Sequence, residues 1–372
     1  MTVVAIGDPV ASIRLLIRLL RGDPSGTLRC VELRPDAYDA LAAFTVDTGL
    51  SVVLLRALEA RGMAHEISAD RRRALAQRRD RQLARHANLA AGLVRLADVL
   101  QAADIPFMLL KGPYLGARIY GDPRGREFLD LDLLVRQTDR RRACDVVAQA
   151  GYRRRSRVLG SATLTARFVH GFDYVGDGVN LDLHWGFSRH PSLRLDESLI
   201  WQHKSSFTID GRPYAVPGDE HEVTLQVLAL LRDIERGRAK PKNIVDLVQV
   251  VAAVDSTLSW DALFARGRDE GTCGPLVNVL ALCLDVADAH DYAPRLAGTL
   301  ARHAGRRVAM AKADVPPRFA ALQPGLGSRL WAARSYDASL VACLAWWFVS
   351  MPFRRAAHGW PRPTAPRPGG SR

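Results

Sequence analysis

The run Arg126-Glu127-Phe128-Leu129-Asp130-Leu131-Asp132-Leu133-Leu134-Val135 sets two carboxylates two residues apart in an apolar segment. Read as a strand, it points Asp130 and Asp132 to one face and Leu131 and Leu133 to the other, because side-chain direction alternates with a period of two. The two acids then form an anionic edge that hard divalent cations such as Mg²⁺ neutralise. Alone, the pair also describes an ordinary surface strand. A second apolar run, 179–187, supplies Asp182, with His184 on the same face. If the two strands pair, Asp182 completes a three-carboxylate cluster. Metals held there by Asp130 and Asp132 would grip the β- and γ-phosphates of a nucleoside triphosphate and link its α-phosphate to an attacking oxygen. Asp182 would ligate the catalytic metal and favour deprotonation of an acceptor hydroxyl. Three acids alone repel one another, and metal binding removes that penalty.

Phosphate needs cations and donors as well. Lys111-Gly112 closes a short apolar run, 105–110, and Pro113 is suited to the first turn of a following helix. Glycine permits close approach of a phosphate, the helix start offers peptide N–H groups, and Lys111 contributes charge. Arg126 is the next candidate, since its guanidinium can bind phosphate through two directed hydrogen bonds. The pattern GxxxxGK[ST] of a P-loop does not occur. His184, beside Trp185 in an apolar strand, reads first as a structural residue and second as an aid to proton transfer or to the orientation of Asp182.

The elements that would position these residues are readable from periodicity. Strands are expected at 105–110, 129–135, 164–174 and 179–187, the last two joined by Gly176-Asp177-Gly178, with helices at 113–120 and 139–150. Mainly helical segments flank this region. At 71–100, Leu75, Leu83, Leu89, Leu93, Leu96 and Leu100 form the expected core stripe, and the many arginines form a solvated face. Further helices are expected at 36–50, 52–60, 219–235, 244–254, 256–268 and 275–287. The expected fold class is α+β: a small mixed sheet with extensive N- and C-terminal helices. Its parts are an N-terminal helical region (1–100), a catalytic core (101–215), a C-terminal helical region (216–355) and a disordered tail (356–372) rich in Pro, Arg and Gly.

In this order the motifs resemble a known family. Residues 105–112, Tyr120-Gly121-Asp122-Pro123, 126–135 and Leu181-Asp182-Leu183-His184-Trp185 are similar to the uncharacterised bacterial nucleotidyltransferase family within the DNA polymerase beta-like nucleotidyltransferase superfamily. The likeness covers about 70–250. It implies metal-dependent transfer of a nucleoside monophosphate from an NTP, ATP first, with release of pyrophosphate. It also implies that Asp130 and Asp132 are the paired metal-binding acids, that Asp182 is the third, and that Asp246 organises an Arg or His near the cleft. Lys111-Gly112 stands where many superfamily members carry Gly-Ser, so the usual hydroxyl-to-phosphate contact does not carry over. Glu127 and Phe128 occupy positions that often hold Pro and a small residue.

Bulk properties bound the rest. A chain of 372 residues with 48% hydrophobic residues has ample core material. Its five cysteines are scattered without a CxxC pair, which argues against a disulfide scaffold or a structural zinc and for a reducing, cytoplasmic location. Asp8 and Pro9 interrupt any signal-peptide core. The apolar tract 338–353 is shorter than the roughly 20 residues needed to cross a bilayer. It reads as a buried or interfacial helix whose Trp346 and Trp347, with Trp331 and Phe353, offer a membrane or partner contact. The net charge of +13 and pI near 10.1 attract anions without selecting one. The expected acceptor is a small molecule or peptide, with RNA a further candidate. Two other readings stand beside this one: an inactive nucleotide-binding regulator, and a peripheral membrane or partner-binding protein.

Overall fold

The computed structural model describes residues 8–22, 35–159, 161–237, 239–306 and 326–358; of the expected disordered tail, 356–358 are instead the end of the last helix, and 359–372 lie outside the described residues. The chain begins with helices α1 (Pro9–Arg21), α2 (Pro35–Thr48), α3 (Ser51–Ala60) and the long α4 (Ala69–Ala102). Then come β1 (Phe107–Leu109), α5 (Pro113–Tyr120), β2 (Leu131–Val135), α6 (Arg140–Gln149), β3 (Arg153–Arg154), α7 (Ala162–Thr165), β4 (Gly171–Gly176) and β5 (Val179–His184). After α8 (Glu197–Gln202) and the hairpin β6 (Ser205–Ile209) and β7 (Arg212–Val216), helices return. These are α9 (Asp219–Glu235), α10 (Pro241–Val254), α11 (Trp260–Glu270), α12 (Cys273–Ala287), α13 (Pro294–Arg302), α14 (Leu326–Ser335) and α15 (Leu340–His358). The fold is α+β, as expected.

The main sheet has the order β1-β2-β5-β4-β3, with β2 and β5 parallel and the other neighbours antiparallel. A parallel pair needs a crossover, and α6, α7 and the flanking strands supply it. β4 and β5 meet at Asp177-Gly178, both at positive φ, the backbone that a two-residue hairpin turn requires. Asp210-Gly211 does the same for β6 and β7, a hairpin not anticipated from the sequence.

Two boundaries differ from the expectation. The run 164–174 is not one strand: 162–165 turn into a short helix, and pairing starts only at Gly171. The hydroxyl of Ser161 accepts the Leu164 N–H at 3.1 Å, so a local cap wins over strand propensity there. Arg153 and Arg154, which follow α6, form β3 and pair with Val175 and Tyr174, a strand not expected from the sequence.

Helix α4 carries the sheet on one face. Leu75, Leu89, Leu93, Leu96 and Leu100 are buried, but Leu83 is 38% exposed, contrary to the expected stripe. The buried face continues instead through Gln82 and His86, polar positions that an apolar pattern passes over. Farther along, Gly92 lets the helix lie against β5, where a Cβ would come within 2.6 Å of Val179.

Two large packed regions result, beside a small one of Met108, Leu110, Leu134, Ile200 and Trp201. One joins α4, the sheet and α6 around Leu131, Leu133, Leu181, Leu183 and Trp185. The other combines N- and C-terminal helices, with Ile13, Leu54 and Leu75 in the same cluster as Val227, Leu247 and Leu280. Of the aromatic residues in the apolar C-terminal tract, Trp331 is buried, while Trp346 and Phe353 stack on Phe168. Among the described residues of α15, the exposed large apolar side chains are Val341, Phe348 and Val349. Among the described residues, no helix is long and apolar enough to cross a membrane.

Candidate metal centre

Pairing of β2 with β5 places Asp132 directly beside Asp182, and pairing of β4 with β5 places Asp173 on the other side of Asp182. Three aspartates thus lie in a row across adjacent strands, about 4.8 Å apart in strand spacing. His184 follows Asp182 by two residues on the same face and lies 3.2 Å from the Asp132 carboxylate through Nε2. Each of Asp132, Asp182 and His184 offers a ligand atom, all within 4.8 Å of one another, and the three form a group able to hold a metal ion. Gly171 makes room for the imidazole, since a Cβ there would meet His184 Nδ1 at 2.8 Å.

Asp130 sits one residue ahead of β2, outside that tight group. It still feels the cluster. Burial and Asp132 raise its pKa, against the opposing pull of Lys242, Arg126 and Lys111. Burial raises Asp182 well above the usual carboxylate range, and Asp132, Asp173 and Asp130 add to it. Burial also opposes ionisation of Asp132, but the hydrogen bond from His184 and the charge of Lys111 outweigh it and hold this carboxyl at about 2. Ionisation is therefore favoured at Asp132 and opposed at Asp130 and Asp182, by burial first and by the neighbouring carboxylates second. A divalent cation would relieve that frustration, and hard oxygen donors suit Mg²⁺ or Mn²⁺.

Lys111 is brought to the site by the sheet, because Leu110 N–H donates to the Asp132 carbonyl at 3.1 Å. Gly112 has φ +64, where a β-carbon is strained, and it opens α5 without a side-chain cap. Arg126 is 4% exposed, and its Nε donates to Asp246 at 2.7 Å, with Tyr120 donating to the same carboxylate at 3.0 Å. Asp246 thus organises an arginine, and part of the Arg126 fork is already committed to it.

The segment between Arg126 and Asp130 is held from every side, which explains how the acids stay in place. Glu127 is 4% exposed and accepts the N–H groups of Ser51 at 3.0 Å and Val52 at 3.4 Å, capping α3. Arg78 approaches the same carboxylate at 3.4 Å, and Lys242 Nζ donates to the Glu127 carbonyl at 2.8 Å. Gln82 donates to the Phe128 carbonyl at 2.7 Å, and His86 stacks on the Phe128 ring at 4.3 Å. Asn180 of β5 donates to the Leu129 carbonyl at 3.2 Å. Changing Glu127 to Ala is expected to cost about 1–2 kcal/mol, the usual value of a lost helix cap, measured by urea unfolding. An unchanged midpoint would refute this account of the segment.

The cluster opens on a cleft of about 450 Å³ whose walls include Lys111, Asp132, His184, Glu222, Gln226 and Arg232. Glu222, on α9, was not singled out in the sequence, where it reads as one acid of a helix first turn. It is 1% exposed; Gln226 donates to one oxygen at 2.7 Å, and the other has no hydrogen-bond partner among the described residues. Burial raises its pKa to about 6, against the hydrogen bond from Gln226. A carboxyl raised in the folded state favours folding at low pH, and that advantage is lost as pH rises from about 4.5 through about 6. The Glu222→Gln variant is expected to be more stable than the parent at pH 8 by about 2 kcal/mol, the free energy that separates ionisation at about 6 from ionisation at the ordinary 4.5. The two should converge near pH 4. Parallel stability curves across that range, without added metal, would contradict the assignment.

Asp173, Lys242 and Glu222 escaped sequence reading. Asp173 alone left a signal, as an acid alternating with Phe172 and Tyr174. Lys242 is brought by α10 from another part of the chain. Burial first and Arg126 second lower its pKa to about 7.

A small mixed sheet with acids side by side on two strands, next to a strand–glycine–helix turn, defines a nucleotidyltransferase-type domain. The chain belongs to the uncharacterised nucleotidyltransferase family, whose model matches residues 35–288. No curated protein matches it.

Proposed function

We propose that the protein transfers a nucleoside monophosphate from an NTP, ATP first, to a small-molecule or peptide acceptor and releases pyrophosphate. The observation that carries this reading is the register that sets Asp132 beside Asp182, with His184 completing a metal-sized group. Asp132 and Asp182 would hold Mg²⁺ or Mn²⁺, with Asp130 beside them as a further ligand. The bound cations would supply charge neutralisation on the transferred phosphoryl group. His184 fixes the orientation of Asp132 through its hydrogen bond. Lys111 lines the same cleft as Asp132, and the amides at the start of α5 follow it in the chain; both suit the triphosphate. Arg126, tied to Asp246, adds positive charge behind Asp130 and Asp132. Asp182, crowded and readily protonated, is the residue beside which an acceptor hydroxyl would lose its proton.

The test is incubation with each α-labelled NTP, Mg²⁺ or Mn²⁺ and a whole-cell extract, followed by mass analysis of labelled products. Formation of a labelled acceptor and pyrophosphate by the parent, and by neither the Asp132→Asn nor the Asp182→Asn variant, is the expected result. Label incorporated equally by all three proteins would overturn the proposal.

A further inference from the structure

A second cleft of about 470 Å³ adjoins the first, the two sharing Arg232, His170 and Phe187 as walls. Its chemistry is the opposite of the acid row. Arg189, Arg232, Arg236 and Arg354 line it, and the carboxylate among its lining residues is Glu235, held by Arg354 through two hydrogen bonds of 3.0 and 3.2 Å. Arg232 belongs to both sides: it lines both clefts, and its NH1 contacts His170, whose ring stacks on that of His184 with centroids 5.8 Å apart. Its buried Nε has no hydrogen-bond partner among the described residues. Arg189 donates through Nε to the Val169 carbonyl at 3.4 Å and through a second guanidinium N–H to Gln137 at 2.8 Å; burial lowers its pKa, and Glu197 opposes that. The rest of the lining is mixed, with Phe168, Tyr336 and Trp346 as its aromatic part, Val169 and Leu228 beside them, and Ser188 and His190 as polar members.

We propose that this second cleft is the acceptor subsite, and that the acceptor is a small molecule carrying a phosphate or carboxylate group on a flat apolar body. The inference rests on the nucleotidyl-transfer reading. Arg189 and Arg232 take the acidic group, the guanidinium fork being suited to either oxyanion. Trp346 and Phe168 take the apolar body. Because Arg232, His170 and Phe187 wall both clefts, and Asp132 and His184 line the first, a hydroxyl on the acceptor's near end is directed at the acid row. In the reaction, the hydroxyl oxygen forms a bond to the α-phosphorus, the bond to pyrophosphate breaks, and the hydroxyl proton leaves toward Asp182. A docked anion at this place also accounts for a cationic wall set against an anionic one.

The experiment uses the full chain with Mn²⁺ and a saturating non-hydrolysable ATP analogue, so that the nucleotide half is filled. Phenyl phosphate, benzoate and inorganic phosphate are titrated by calorimetry. Phenyl phosphate or benzoate is expected to bind more tightly than inorganic phosphate. Arg189→Gln and Arg232→Gln should each weaken binding at least tenfold, and Trp346→Ala should abolish the preference for the ring-bearing anion. Arg189→Lys and Arg232→Lys, which keep the charge, should restore part of the affinity, and melting curves confirm that each variant is folded. Comparison of phenyl phosphate with benzoate tells a phosphate site from a carboxylate site. Equal binding by parent and glutamine variants, or displacement of the anion by the ATP analogue, would overturn the proposal. So would a short RNA that binds with the same arginine dependence and excludes the small anions. Mn²⁺ and nucleotide affinity, measured in the same samples, separates a failed acceptor subsite from a failed nucleotidyl-transfer reading.

Discussion

Asp182→Asn is expected to remove metal-dependent transfer, by at least about 10²–10³-fold, while leaving the metal-free protein as stable as the parent or more so. The two effects have one cause. Burial and the neighbouring carboxylates Asp132, Asp173 and Asp130 push the Asp182 carboxyl far above its usual range, so its ionised form is unfavourable in the folded, metal-free state. A neutral amide of the same shape relieves that repulsion and cannot neutralise a cation. Asp132→Asn should lose activity in the same way but not gain stability. Asp132 is already ionised and stabilised by His184 and Lys111, so the substitution deletes favourable contacts. Its contribution is present above the ordinary carboxylate pKa and lost as pH falls toward about 2. Thermal melts in EDTA at pH 8, paired with product assays, check both statements. An Asp182→Asn variant that melts well below the parent would show that the acid serves the scaffold rather than the cation.

The second large effect concerns the buried pair Arg126–Asp246. Both side chains are almost wholly shielded, at 5% and 1% exposure, and meet at 2.7 Å. Breaking such a pair by removing one partner leaves an uncompensated buried charge, at a cost of about 3–5 kcal/mol. Asp246→Leu and Arg126→Met should each show that loss in denaturant unfolding, and the double variant should recover much of it. The pair also separates two roles for Arg126. A phosphate contact predicts that Arg126→Lys raises KM for the triphosphate beyond any effect on stability. A purely scaffolding arginine predicts lost stability with unchanged KM.

The chemistry was legible where it followed strand alternation. Asp132, Asp182 and His184 each sit in an apolar run with strict period-two spacing, and the register that joins them follows from burying Leu131, Leu133, Leu181 and Leu183 together. Helix α5 was readable through Pro113 and Gly121, which mark its two ends. The strand edge at 164–174 was not, because a serine cap and an apolar strand compete over the same residues and only tertiary pairing decides. Helix α4 shows the same limit in another form. A leucine stripe predicted Leu83 inward, whereas the residues facing the Phe128 segment are Gln82 and His86, recruited by one backbone carbonyl and one ring. Glu127 looked like a departure that alters access, and it turns out to cap α3 across 76 residues of chain. Such contacts, like those of Lys242 and Glu222, join segments with no local relation, so no pattern along the chain can announce them.

The central claim is that Asp132 and Asp182 converge on a divalent cation. Mn²⁺ titration at pH 8, followed by electron paramagnetic resonance with and without a non-hydrolysable ATP analogue, tests it most directly. The account predicts saturable Mn²⁺ binding that tightens with the nucleotide and weakens at least tenfold in Asp132→Asn and Asp182→Asn. Asp177→Asn, in the exposed hairpin turn, should bind as the parent does. Identical Mn²⁺ curves for the parent and all three variants would contradict it.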